Sequence, residues 1–441
     1  MNATPKIKAD NELGLLRSRY QATREISKAL ITPLSAEDAC VQSMPDCSPA
    51  KWHLAHTTWF FETFLLEQIE KYRCFHDQFR VLFNSYYNAV GEQYPRPARG
   101  LLTRPSLADV LAYRDYVDEH MQSLFDAGPH MEQQRVIEVG IQHEQQHQEL
   151  LLMDIKHLLS LNPLRPTYRE RNKPSAEPAK QFHWTDHPGG LVNIGASGEG
   201  FCFDNETPRH QHFTPAYKLG SRLVTNGEYL EFINDDAYSN PDLWLSDGWA
   251  CMQEQNWQAP LYWREEQQGP NSENNWFEFT LHGERKLNLD APVVHLSFYE
   301  ADAFARWAGA RLPTEMEWEH AVNQSAMNLA AVNESIVSRL LHPSARVNDG
   351  SPYRDQPSSN SGNLEQVFTD VWQWTASAYL PYPGYVTPPG AIGEYNGKFM
   401  SNQMVLKGAC CVTPESHSRA SYRNFFYPHC RWQFAGLRLA R

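Results

Sequence analysis

Two imidazoles spaced four residues apart are the first chemistry this sequence offers. His143-Glu144-Gln145-Gln146-His147 sets both rings one turn apart on one face of a predicted helix. The same face continues through Val136, Gly140, Leu150 and Asp154, so both histidines hold positions where a helical bundle would normally place Leu. A buried imidazole must be hydrogen-bonded or metal-bound to offset its lost hydration. Two at ligand spacing favour a metal over a pair of packing histidines. Upstream, His53-Leu54-Ala55-His56 precedes the apolar wall Trp59-Phe60-Phe61, and either His53 or His56 can supply a third imidazole. Three neutral imidazoles leave open positions on an octahedral metal, an arrangement suited to Fe(II) with O2 and substrate together.

HEQQH also fits the HExxH pattern of zinc peptidases, in which the Glu is a general base. Those enzymes take a further ligand from beyond the helix, often after a glycine. Here the pattern runs on through LLLMDIKHLLS without one. At 1.5 Å per residue, His157 stands about 15 Å along the axis from His147, too far to share a metal. A zinc peptidase is therefore the weaker expectation.

The elements that position these groups are helical. Apolar periodicity predicts helices over 11–31, 48–72, a third opening at Ser106, and 131–160, with the Ser106 to Asp109 spacing forming a capping box. Four such helices predict a bundle. Between the second and third lies FNSYYNAVGEQYPRPARGLLTRPS, longer than an idle connection and rich in aromatics, which marks it as functional. Residues 165–182 read as a Pro- and charge-rich linker. Beyond it, short β-like runs alternate with turns, and two amphipathic helices start at the capping boxes Thr225/Glu228 and Ser297/Glu300. Of 13 tryptophans, only Trp52 and Trp59 precede residue 165, so the two parts are built differently. The 441 residues thus divide into 1–164, a linker 165–182, and an irregular α+β domain 183–441.

Composition narrows the partners. A net charge of −13 argues against nucleic acid or an anionic membrane. No apolar run approaches the ~20 residues of a spanning helix, and the N-terminus has no signal-peptide h-region. Eight cysteines without CxxC spacing fit reduced thiols in a cytoplasmic protein.

The segments PVVHLSFYEADAFARWAGARLPTEMEWEHA, VWQWTASAY and GLRLAR resemble the formylglycine-generating-enzyme-type domain, a C-type-lectin-like fold. HLAHTTWFFE and HEQQHQELLLMD resemble a DinB-like four-helix bundle. Together they resemble the iron-dependent sulfoxide synthases of ergothioneine and ovothiol biosynthesis. The resemblance implies an Fe(II) cofactor held by His56, His143 and His147, and O2-dependent joining of a thiol to the imidazole carbon of hercynine (Nα-trimethylhistidine). It also implies that Gln146 contacts hercynine, that Tyr87 donates a proton or hydrogen with Tyr86 in support, and that Arg96 pairs with the thiol substrate's carboxylate, with Arg99 and Arg104 as competitors.

At Tyr422-Arg423-Asn424-Phe425-Phe426 the family's γ-glutamylcysteine users read Asn-Trp-Asp. Here Phe426 takes the place of the acid, which implies free cysteine as donor. Asn424 is then a substrate contact, and Phe425 can offer its ring to the trimethylammonium. Cys410-Cys411 lacks the second cysteine that formylglycine formation uses, so the pair is expected to be structural. The same family leaves open γ-glutamylcysteine as donor, an ovothiol-type acceptor or a selenium donor. A different class is a metal-free lectin-like binding protein.

Overall fold

The computed structural model describes residues 5–170, 178–266, 275–325, 336–337, 339–344 and 364–441. Two compact units emerge: residues 1–162 with the short segments 335–337 and 390–394, and the remainder.

The first unit is helical. Helix α1 spans Pro5–Ile31, α2 Ala50–Phe64, the single-turn α3 Phe79–Leu82, α4 Leu107–Ala127 and α5 Met131–Ser160. Ser106 caps α4 by accepting from the Asp109 N–H while the Asp109 carboxylate accepts from Ser106, the capping box expected from the sequence. Gly128 ends α4 in the left-handed conformation at φ 79°, and α5 starts three residues later, so the two helices run antiparallel. Helix α2 packs against both α4 and α5, and α1 packs along α5.

The predicted second helix over 48–72 is shorter in the structure. It stops at Phe64, where Leu65 leaves helical geometry (φ −124°, ψ −59°). The chain then folds back, so that the Tyr72 hydroxyl (2.6 Å) and the Phe75 N–H (3.0 Å) both donate to the Glu62 carboxylate. A buried acid collecting donors thus overrides the apolar period.

Gly140 is what allows α5 to lie close to α2. A Cβ there would meet the Phe61 ring at 2.4 Å and Phe60 at 3.0 Å. Both rings are fully buried and have nowhere to move.

The second unit mixes short helices with several small sheets. Its strands are β1 Trp184–His187, β2 Gly190–Ile194, β3 His210–Thr214, β4 Tyr217–Gly220, β5 Trp263–Glu266, β6 Asn275–Thr280, β7 Gly283–Lys286, β8 Trp372–Ala378, β9 Met404–Gly408, β10 Asn424–Phe426 and β11 Ala435–Gly436. Its helices are α6 Asn226–Asn234, α7 Ser246–Glu254, α8 Phe298–Trp307 and α9 Glu315–Gln324. The largest sheet has the order β10-β9-β8-β11, antiparallel except for the β8–β11 pair. The capping boxes at Thr225 and Ser297 are both formed.

Side chains bridge the irregular stretches. Gln373 accepts from both the Trp318 indole and the Arg438 guanidinium at 2.8 Å, and Arg438 also donates to the Gly220 carbonyl. Residues expected to begin a linker are packed here: Tyr168 is buried, and the Arg169 N–H donates to the Leu281 carbonyl. Residues 171–177 of that stretch lie outside the described residues. Among the described residues no helix is long and apolar enough to cross a membrane.

Gly140→Ala is expected to destabilise the protein even though Ala is the better helix former by about 1 kcal/mol. Overpacking against two immobile rings costs about 1–3 kcal/mol. A denaturant midpoint below wild type is the expected result.

Candidate metal centre

Helix α2 brings His56, and α5 brings His143 and His147, to one point in the first unit. One ring nitrogen from each lies within 4.8 Å of the others. Each ring is held. The His56 Nδ1 faces the Phe83 carbonyl at 2.6 Å, so it carries the proton and leaves Nε2 as a lone pair. That Nε2 lies 3.1 Å from His143 Nε2. The His56 ring stacks on Trp52 (centroids 4.6 Å, 12°) and on Trp59 (5.6 Å, 16°). His143 lies against Phe60, with centroids 4.9 Å apart.

Burial pushes the pKa of His143 down to about 3 and lowers those of His56 and His147, where the neighbouring histidines add to the effect. All three rings are therefore neutral near pH 7. Three uncharged nitrogen donors converging on one point fit a borderline divalent cation such as Fe(II), Co(II) or Zn(II).

Glu144 is turned away from this chemistry. Its carboxylate accepts from Arg24 (2.9 Å), Ser27 (2.6 Å) and Arg114. Burial would raise its pKa, but the Arg114 and Arg24 guanidiniums outweigh it and hold the group at about 2. A carboxylate committed to two arginines cannot serve as the general base of a zinc peptidase. His157 bonds to the Ser43 hydroxyl at 2.7 Å instead of joining the cluster.

The loop after α3 is organised by Asn84, which was not singled out from the sequence. Its Oδ1 accepts from the Tyr87 N–H at 3.0 Å, and its Nδ2 donates to the carbonyls of Tyr87, Gly91 and Glu92. Tyr87 is fully buried against Trp59 (5.6 Å) and Phe64 (5.3 Å), and the half-buried Tyr86 stacks on it at 4.6 Å. Trp59 touches both Tyr87 and His56, which places Tyr87 one ring away from the histidine cluster. Glu394, from the 390–394 segment, accepts from the Asn88 and Ala89 N–H groups at 3.0 and 2.7 Å.

Three arginines of this region differ. Arg96 is exposed and donates to the Asp46 carbonyl. Arg104 is exposed. Arg99 is buried, with its guanidinium 3.4 Å above Trp52 and one bond to the Ser48 hydroxyl at 2.9 Å. Its Nε has no partner among the described residues. Burial and then Arg96 lower its pKa to about 9.

Gln146 is half-buried on α5, between the two ligand histidines in sequence. Asn424, Phe425 and Phe426 form β10 in the second unit. There the Phe425 ring stacks on Tyr379 at 4.1 Å and Phe426 meets the edge of Trp432 at 5.6 Å. Cys410 and Cys411 are buried, with Cys410 Sγ 3.2 Å from the Thr413 hydroxyl.

Comparison with known proteins adds to this geometry. Residues 19–151 match the DinB superfamily, and residues 174–441 match the sulfatase-modifying factor enzyme 1-like domain. A hercynine oxygenase of Mycobacterium tuberculosis is 30% identical over 413 residues, covering 91% of this chain and 93% of the relative. One from Mycolicibacterium smegmatis is 30% identical over 414 residues, covering 90% and 92%. The chain belongs to the hercynine oxygenase family. Like the rest of that family it is an oxygenase-type oxidoreductase. Ergothioneine biosynthesis protein 1 of Schizosaccharomyces pombe is 26% identical over 253 residues, covering 55% of this chain and 28% of that protein.

Within this hercynine oxygenase relative, Glu144→Gln separates a structural carboxylate from a catalytic one. Breaking a buried pair strands two arginines and costs about 3–5 kcal/mol, so the melting temperature should fall clearly. The acid limb of stability should change too. Because the folded pKa lies below the ordinary 4.5, the network's contribution is complete above that pH and is lost as pH falls towards about 2. The variant should show a shallower acid-induced loss than wild type in pH-dependent denaturation.

Proposed function

We propose that the protein is a non-haem Fe(II)- and O2-dependent sulfoxide synthase that joins cysteine to hercynine, giving hercynylcysteine sulfoxide in ergothioneine biosynthesis. The observation that carries this reading is the convergence of three neutral imidazoles, His56, His143 and His147, in a hercynine oxygenase relative. Fe(II) on these three ligands would supply O2 activation, with positions left open for substrates.

The balance is closed without another reductant. One S–H bond of the thiol and one imidazole C–H bond are lost, and a C–S bond forms. One oxygen atom of O2 stays on sulfur as the sulfoxide, and the other leaves as water with the two hydrogens. The chain must therefore place two substrates together and manage protons. Gln146 is assigned to hold hercynine. Tyr87, buried and one ring removed from His56, is assigned as the proton or hydrogen donor, and Tyr86 as its stacked support. Asn424 and Phe425 are assigned as substrate contacts, with the Phe425 ring towards the trimethylammonium. The apolar Phe426 leaves no charge for a glutamyl ammonium, which supports free cysteine over γ-glutamylcysteine.

Arg96 is assigned to the carboxylate of the thiol substrate. A specific observation favours Arg99 as a second reading: it is a buried guanidinium whose Nε has no partner among the described residues. Substitution decides between them, because the arginine that binds the carboxylate should raise the cysteine KM on replacement by Ala and leave hercynine binding unchanged.

Anaerobic protein with Fe(II), hercynine and cysteine, then exposed to O2, should yield the thioether sulfoxide by mass spectrometry. Parallel arms with γ-glutamylcysteine, with histidine as acceptor and with a selenosugar as donor separate the family alternatives. No coupled product in any arm would sink the proposal, and failure to bind iron would support a metal-free binding protein. Tyr87→Phe should keep iron bound and slow sulfoxide formation by about 10²-fold or more, or divert turnover to oxidation of the thiol alone.

A further inference from the structure

His53, the imidazole not among the three ligands, is not idle. Its Nδ1 lies 2.9 Å from Nδ1 of His147, and its Nε2 lies 3.1 Å from Oδ2 of Asp154. His53 and Asp154 are both buried, and Asp154 Oδ2 also accepts the Ser48 N–H at 2.7 Å. Protons can be assigned from these contacts. A carboxylate oxygen can only accept, so His53 Nε2 carries a hydrogen. Two ring nitrogens 2.9 Å apart share one hydrogen. If His53 also held that hydrogen, His147 would have to keep its own on Nε2 and could not ligate. The arrangement compatible with a metal has His147 Nδ1–H donating to a neutral His53, which leaves His147 Nε2 as a lone pair.

We propose that Asp154 and His53 form a relay that fixes the tautomer and ring orientation of His147 and strengthens it as a metal donor, making both of them positioning residues. His56 has an analogous but uncharged anchor, the Phe83 carbonyl at 2.6 Å. The two ligands are thus unequal: a backbone carbonyl supports one, and an anionic carboxylate acting through an imidazole supports the other. Helix geometry places the relay, since Asp154 lies two turns beyond His147 on α5 and His53 lies one turn before His56 on α2. Each helix therefore contributes one member of the relay as well as its ligands. Outer partners of ligand histidines typically contribute 10–100-fold to metal affinity.

The inference rests on the three-histidine metal reading, and the test keeps the two separable. The full-length protein, freed of metal, is titrated with Co(II) against a chelating competitor. The visible spectrum is recorded, together with the paramagnetically shifted imidazole N–H resonances. Wild type should bind one Co(II) and show a slowly exchanging N–H from His147. His53→Phe should weaken binding by about 10–100-fold, shift the spectrum and lose that resonance. Asp154→Asn keeps the shape and an acceptor but removes the charge, so it should weaken binding by less and in the same direction. The double variant should bind no more weakly than His53→Phe alone, because a broken relay has nothing further to lose.

Should His53→Phe fail to fold by circular dichroism, Asp154→Asn carries the test alone. Unchanged affinity and spectrum in Asp154→Asn and in any folded His53→Phe would overturn the relay. So would losses that simply multiply in the double variant. A wild type that binds no metal would overturn the metal reading itself.

Discussion

The histidine cluster depends on a carboxylate that never touches it. Glu144 sits between His143 and His147 of α5 and is gripped by Arg24 of α1 and Arg114 of α4, while Arg24 also donates to Thr58 of α2. Four helices are thus keyed to one buried anion. Rotating or sliding α5 would strand that charge at a cost of about 3–5 kcal/mol, a large fraction of the stability of a domain. The register in which His143 and His147 meet His56 is therefore set by electrostatics on another face of the same helix. Gly140 sets the remaining coordinate, the separation of α5 from α2.

Features legible in the sequence were those encoded over a few residues. The 143/147 spacing, the capping boxes at Ser106, Thr225 and Ser297, and the bounds of α5 all depend on neighbours within one turn. Long-range contacts were not legible. The role of Glu144 is decided by Arg24, 120 residues away, whereas the local motif suggested a catalytic base. The resemblance implied His56 rather than His53 as the ligand, but gave His53 no role of its own; its contacts are made 94 and 101 residues away. Arg96 and Arg99 share one 3₁₀ helix, Arg96–Leu101, and spacing alone cannot show that one is exposed and the other buried on Trp52. Asn84 carries no motif, although an Asn two residues before Tyr86-Tyr87 is the turn-forming type that a loop needs.

The two units use polar side chains in opposite ways. In the helical unit, a buried ion network is centred on Glu144, while burial keeps the rings of His56, His143 and His147 neutral. In the second unit, the buried arginines Arg438 and Arg423 donate to the backbone carbonyls of Gly220, Asn205 and Leu380. Trp318, Trp372 and Trp374 are fully buried there.

The contact of Glu394 with Asn88 and Ala89 spans 306 and 305 positions of the chain. During synthesis, the helices that carry the histidines leave the ribosome long before residue 394 is made. The loop bearing Tyr86 and Tyr87 then waits for some 305 further residues before this clasp can close. The three histidines can therefore meet before this clasp forms, because all three belong to α2 and α5.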